Sequence, residues 1–423
     1  MKFHYSPLSQ AVAMALLASV SVIQPAMSAD VNINDPITYT PGLFLPGDNL
    51  FIGDTRVGTL LINNGNQVVG QNITIGNGAS DGTLTLSGVG SSLTSLIRGA
   101  VGADDINPTA EWKNSAITLI GGRSNGTVNV TDGASFVFGK LLLDGQGDKL
   151  GKMRVSGQGS SLAFIIYPDN PDFHSPANPM LFIGNSGNGE LSLENGARVT
   201  FPDSAAPVIV GALQGSRGTI NVSSNAVADL SPGVFQLFGD QGTANVNITS
   251  GGLLHVGGFG SVWGNADTGR ATLTVSGAGS RFTTNGMAIF GGRGQAIVNI
   301  HGGSVNLTPS STITFADIGT TSVNIDGGGN LAIGGYGSVW GNQSTANSTL
   351  TVSGAGSVFD STNGQTTIGN VGTSVVNINA GGAWTSRGTI TIGNNGTGTV
   401  NINAGEGGLV VVPLLLATTG LVP

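Results

Sequence analysis

Along most of the chain an apolar, polar, apolar triplet recurs, followed by Ser, Asn and Gly turn residues and then by a second apolar, X, apolar segment closed by glycine. The third residue of the triplet is Ile62, Leu86, Val130, Val155, Leu193, Val222, Ile248, Val275, Ile300, Ile325, Val352, Ile378 and Ile402. Successive spacings are 24, 44, 25, 38, 29, 26, 27, 25, 25, 27, 26 and 24, a period of about 25 residues with two insertions. Two positions before each of these residues the chain is apolar throughout, from Leu60 to Val400, and the residue between is polar everywhere except Leu61. A period of two is that of a strand with one face buried. Repetition at fixed length is that of a solenoid, in which each unit covers its neighbour. The expected fold is all-β, a single-stranded parallel β-helix of about 13 coils of about 25 residues each.

A second column supports this reading. The residue before the punctuating glycine runs Ile52, Ile75, Ile120, Leu143, Ile183, Val210, Phe238, Trp263, Phe290, Phe315, Trp340, Ile368 and Ile392, and the next residue is glycine in every coil but two, where it is Asp144 and Ala316. Glycine at a coil corner suits a positive φ or a close backbone approach. Phe238, Trp263, Phe290, Phe315 and Trp340 occupy the inward slot of five consecutive coils and are expected to form a buried ladder at strand spacing, about 4.8 Å. A carbohydrate-stacking role for those rings would need them exposed. The strongest self-similarity is between Gly260–Ile300 and the stretch that begins 77 residues later at Gly337, which share GSVWGN and LTVSGAGS.

Residues 1–29 have a basic start, an apolar run from Ala11 to Ile23 and small residues at the exit, the pattern of a secretory signal peptide. Residues 30–50, with three prolines, are expected to cap the solenoid, which spans 51–405; 406–423 form an apolar tail. The insertions lie near 96–114 and 165–178, each after a similar lead, GVGSSL or GQGSSL, so both are expected to leave the coil at one corner, two coils apart. Insertions in repeat proteins gather on one face, often the binding face. The candidate patch is Asp104, Asp105, Glu111, Trp112, Tyr167, Asp169, Asp172, Phe173 and His174; the bland alternative is tolerated drift in loop length.

Charge and chemistry narrow the function. Removal of the leader leaves 14 Lys and Arg against 23 Asp and Glu, a formal charge of −9, which disfavours a nucleic-acid partner. The chain has no cysteine although an exported protein could carry disulfides. No catalytic residue, metal site or cofactor is expected. The outward column offers Thr and Asn with Arg154 its one charge, and the three histidines beyond the leader, His174, His255 and His301, occupy different repeat positions. The rival reading is a β-helical polysaccharide lyase or hydrolase, which needs carboxylates or basic groups gathered in one cleft.

The units LTVSGAGSRF from Leu273, LTVSGAGSVF from Leu350 and IGNNGTGTVNINAG from Ile392 resemble the passenger repeats of bacterial type V autotransporters over about Leu60 to Gly405. The resemblance implies a right-handed β-helix, export to the periplasm, and display at the cell surface or secretion as a non-enzymatic adhesion, aggregation or biofilm factor. It implies as partners a surface glycan or protein and an outer-membrane translocator barrel. After Asn403 this sequence has room for one or two strands, whereas such a barrel needs at least about eight. A truncated product, a fragment or a separately encoded translocator is therefore expected, and the chain by itself is expected to stay in the periplasm.

Overall fold

A computed structural model describes residues 29–43, 48–95, 117–164, 181–201, 207–231, 235–258, 260–308, 312–361 and 364–403. Every regular element among them is a strand, and all inter-strand pairs are parallel. Three sheets run the length of the rod. The first has 14 strands, from Asp30–Ile33 to Ile390–Ile392; the second has 14, from Pro36–Thr38 to Thr397–Ile402; the third has 12, from Gln67–Gly70 to Ala383–Ser386. The chain visits first, second and third sheet in turn, which makes a β-solenoid of about 12 three-sided turns of about 26 residues. Asp30–Ile33 and Pro36–Thr38 are the first rungs of two sheets, the one pairing with Asn49–Ile52 and the other with Thr59–Leu61.

The triplets are the strands of the second sheet. Each of the twelve successive pairs in the triplet series is a register pair, from Ile62 opposite Leu86 to Ile378 opposite Ile402. The outer residues of each triplet point inward and are buried through most of the rod, while the central Thr or Asn stays half exposed. A buried Leu or Ile side chain contributes about 1.5–3 kcal/mol, so the recurring pair is the main cohesive term of every coil. The second column is the inner face of the first sheet, again in register at each step, as from Phe238 to Trp263 and from Phe315 to Trp340.

The five rings form the expected ladder. Centroid separations along Phe238, Trp263, Phe290, Phe315 and Trp340 are 4.0, 5.5, 5.2 and 3.9 Å, with interplanar angles of 14, 23, 8 and 11°. Their exposure is at most 1%, so they serve cohesion and are closed to any ligand. From the third sheet Phe282 and Phe359 set their edges against Trp263 and Trp340, at 82 and 78°.

Two corners are tied by polar groups acting between coils. Between first and second sheet, the glycines take positive φ, for example +67° at Gly264, and a Cβ there would lie 2.5 Å from the Gln295 carbonyl oxygen of the next coil. Asp144, which replaces one of them, accepts from the Ser186 backbone N–H and hydroxyl, both at 2.8 Å, and from Gly187 N–H at 2.7 Å. Asparagines stack beside this corner: Asn342 donates to Asp317, Asn370 to Asn342 and Asn394 to Asn370, at 2.7, 3.0 and 3.0 Å. Between second and third sheet, the serine of each SGxGS motif accepts from a glycine N–H one coil earlier. The pairs are Ser91 with Gly65, Ser160 with Gly133, Ser280 with Gly251 and Ser357 with Gly328, at 3.0–3.1 Å.

Candidate functional site at the loop edge

Connection lengths single out the third corner. From first to second sheet the connections hold two to seven residues, and from second to third two to five. From third back to first they range from the single residue Gly139 to 16 residues at 165–180 and 21 at 96–116. Both insertions leave strands of the third sheet, Ser92–Ser95 and Ser161–Phe164, with Ser135–Phe138 between them, and both return to the first sheet. They therefore leave at one corner and two coils apart. The candidate residues they carry, Asp104, Asp105, Glu111, Trp112, Tyr167, Asp169, Asp172, Phe173 and His174, lie outside the described residues.

Farther along the same edge an open groove of about 630 Å³ runs beside the first-sheet strands Ile313–Phe315, Gly337–Trp340, Gln365–Ile368 and Ile390–Ile392. These are four consecutive rungs, spanning about 14 Å at strand spacing. Three glycines line it, Gly335, Gly364 and Gly388, together with Thr312, Gln365 and Thr389, all three exposed. Tyr336 supplies the aromatic group and is 69% exposed, in contrast to the closed ladder rings of the adjacent sheet. The sequence reading missed this groove. Its signal was the pair GGFGSVW and GGYGSVW, in which Phe259 and Tyr336 interrupt a run of glycines outside the strand alternation.

Titratable groups elsewhere are dispersed. On the second-sheet face Lys152 pairs with Glu190 at 2.9 Å and Arg154 with Glu194, and Ser192 donates to Glu190 at 2.9 Å. Ion pairs this open contribute at most about 1 kcal/mol. His255 meets Thr283 at 2.5 Å on the third sheet, while His301 meets Asp326 at 2.6 Å on the second. No group of three His, Cys, Asp or Glu side chains suited to a metal ion occurs among the described residues. Asp132, at the serine corner, accepts from Ser87 at 2.8 Å and Thr131 at 3.0 Å, and these hydrogen bonds, Ser87 first, hold its carboxyl below the usual aspartate value.

Neither a protein-family model nor a curated protein matches the chain. Among solved structures, the crystal structure of a TibC-catalyzed hyper-glycosylated TibA55-350 fragment is similar over 93% of this chain and 98% of that chain, at 18% identity and a TM-score of 0.33. A likeness of that degree carries no argument about activity. The chain's own strand order and register establish what it is in architecture, a three-sided parallel β-solenoid with one edge of variable connections.

Proposed function

We propose that this chain is an exported, non-enzymatic adhesion protein of the autotransporter-passenger kind, which meets a glycan or protein on another surface through its loop edge. Export by the leader at 1–29 and passage through a translocator barrel belong to the same reading. The observation that carries it is the confinement of the two long insertions, of 16 and 21 residues, to one corner of three. At the other two corners serine clips and glycine contacts recur along the rod, and insertions of that size there would break them. The loop edge is the place where the chain can diversify its surface without loosening the stack.

The test is to shorten 96–114 and 165–178 to ordinary coil length in cells that display the chain. Adherence to epithelial monolayers and to sister cells should fall at least about tenfold, a loss of about 1.4 kcal/mol. Melting of the purified protein should stay nearly unchanged. Undiminished adherence by the shortened protein would contradict the proposal, as would depolymerisation of a polysaccharide by the intact one.

A further inference from the structure

We infer that the groove beside Tyr336 binds a neutral oligosaccharide laid along the rod axis, with one sugar ring against the tyrosine. This rests on the loop edge being the recognition surface and names the chemistry of one site on it. The glycines of the groove are not themselves evidence of a ligand. A Cβ at Gly364 would lie 2.4 Å from the Gly337 Cα, and one at Gly388 would lie 1.9 Å from the Gly364 oxygen, so stacking alone demands both. Stacking thus leaves a trough without side chains.

Tyr336 is what stacking does not demand. Its ring stands 69% exposed while the chain buries its ladder rings almost completely. The 77-residue repeat places Phe259 at the corresponding sequence position, so an aromatic accompanies the GSVW strand in both copies. The weakly polar C–H face of a sugar ring is the kind of partner that an exposed aromatic face can take. Beside it the polar groups are the Thr312 and Thr389 hydroxyls and the Gln365 amide, which donate and accept without charge. That set matches sugar hydroxyls and offers nothing to neutralise a phosphate or an ammonium group. The groove is shallow and open along four rungs, so a ligand laid in it keeps its outer face in water. The coil spacing of about 4.8 Å is close to the length of one ring in a linear glycan, so successive rings meet successive coils in similar surroundings. Arg387, exposed and next in the chain to Gly388, is the nearest cation in sequence, and an acidic glycan would reveal itself through that residue by salt dependence.

The experiment is calorimetric titration of the full chain with cellohexaose, chitohexaose and mannohexaose, and with a proline-rich decapeptide as the alternative ligand for an exposed tyrosine. At least one hexasaccharide should bind, with little change between low and moderate salt. Tyr336→Ala should weaken it at least about tenfold, about 1.4 kcal/mol, and Tyr336→Phe should keep most of the affinity, since it preserves the ring. Melting temperatures of both variants should match that of the unaltered chain, because the side chain lies outside the core. Absence of binding by all three saccharides, equal binding by Tyr336→Ala, or Tyr336-dependent binding of the peptide alone would overturn the inference. Adherence measured on the same variants separates the two claims. If Tyr336→Ala binds the saccharides as the unaltered chain does while shortened insertions abolish adherence, the loop-edge reading stands and the glycan site falls.

Discussion

The indole N–H of Trp263 donates to the hydroxyl of Ser261 at 3.2 Å, within a core where both residues are inaccessible to water. Trp340 and Ser338 repeat the pair at 3.0 Å three coils later. The GSVW motif thus contains its own solution to burying an indole, because a strand places residues two apart on one face and sets the acceptor beside the donor. Ser261→Ala should cost about 1–3 kcal/mol by leaving the N–H unpaired. Trp263→Ala should cost about 3–5 kcal/mol by opening a cavity in the ladder. Denaturant melts of the two variants measure both, and a Trp263→Ala change below about 0.5 kcal/mol would contradict the buried ladder.

The SGxGS motif is a clip between coils. Ser280 accepts from Gly251 N–H at 3.1 Å and donates to the Ser276 carbonyl at 2.7 Å. Ser280→Ala should therefore lose about 1 kcal/mol, and in a solenoid the loss should stay local to the adjoining coils. Amide hydrogen exchange should show faster exchange at Gly251, with distant coils unaffected. Slowed or unchanged exchange there would remove the clip from the account.

At the glycine corner, Gly264→Ala combines two penalties. The residue sits at a φ of +67°, and the added Cβ would lie 2.5 Å from the Gln295 oxygen, a backbone atom that cannot swing away. Destabilisation of more than about 1–2 kcal/mol is expected from the backbone conformation alone. Thermal melts test this, and a neutral result would mean that the corner can relax.

Asp132 gives the stability a specific acid limb. Its folded-state pKa is depressed by the Ser87 and Thr131 hydroxyls, so its stabilising contribution is present above the unfolded aspartate value and is lost as pH falls through the folded one. Asp132→Asn keeps a residue that tolerates the φ of +58° found there. The variant should lose less stability than the unaltered chain on acidification below the ordinary aspartate range. Identical acid profiles would show that the carboxylate is not linked to folding.

Two of the three sheets were legible in the sequence because their inward positions are apolar at nearly every repeat, which leaves the period of two intact. The third was not read. Its inward positions mix Leu93, Phe136 and Leu254 with the buried polar residues Ser95, Thr284, Ser361 and Ser386. These polar groups find partners inside the fold, as when Ser95 donates to the Gln71 carbonyl at 2.8 Å or Ser361 accepts from the Trp384 indole at 3.0 Å. Such pairing is invisible in one dimension and blurs the alternation. The motif that carried the family resemblance turns out to act in coil stacking, which explains why it spoke for architecture and left the partner open. Tyr336 escaped notice for the opposite reason. A lone aromatic among glycines belongs to no period, and only the fold shows that four rungs form a groove around it.

The central claim, that recognition belongs to the loop edge, can be tested by blocking one face at a time. The chain has no cysteine, so a single introduced thiol can be labelled with a polyethylene glycol maleimide without background. Thr389→Cys places the polymer at the edge, and Thr274→Cys places it on the outer face of the second sheet, where Thr274 is half exposed. Adherence of cells displaying the labelled protein should drop at least about tenfold, about 1.4 kcal/mol, for the edge label and stay within about twofold for the face label. Loss of adherence with the face label and its retention with the edge label would contradict the account.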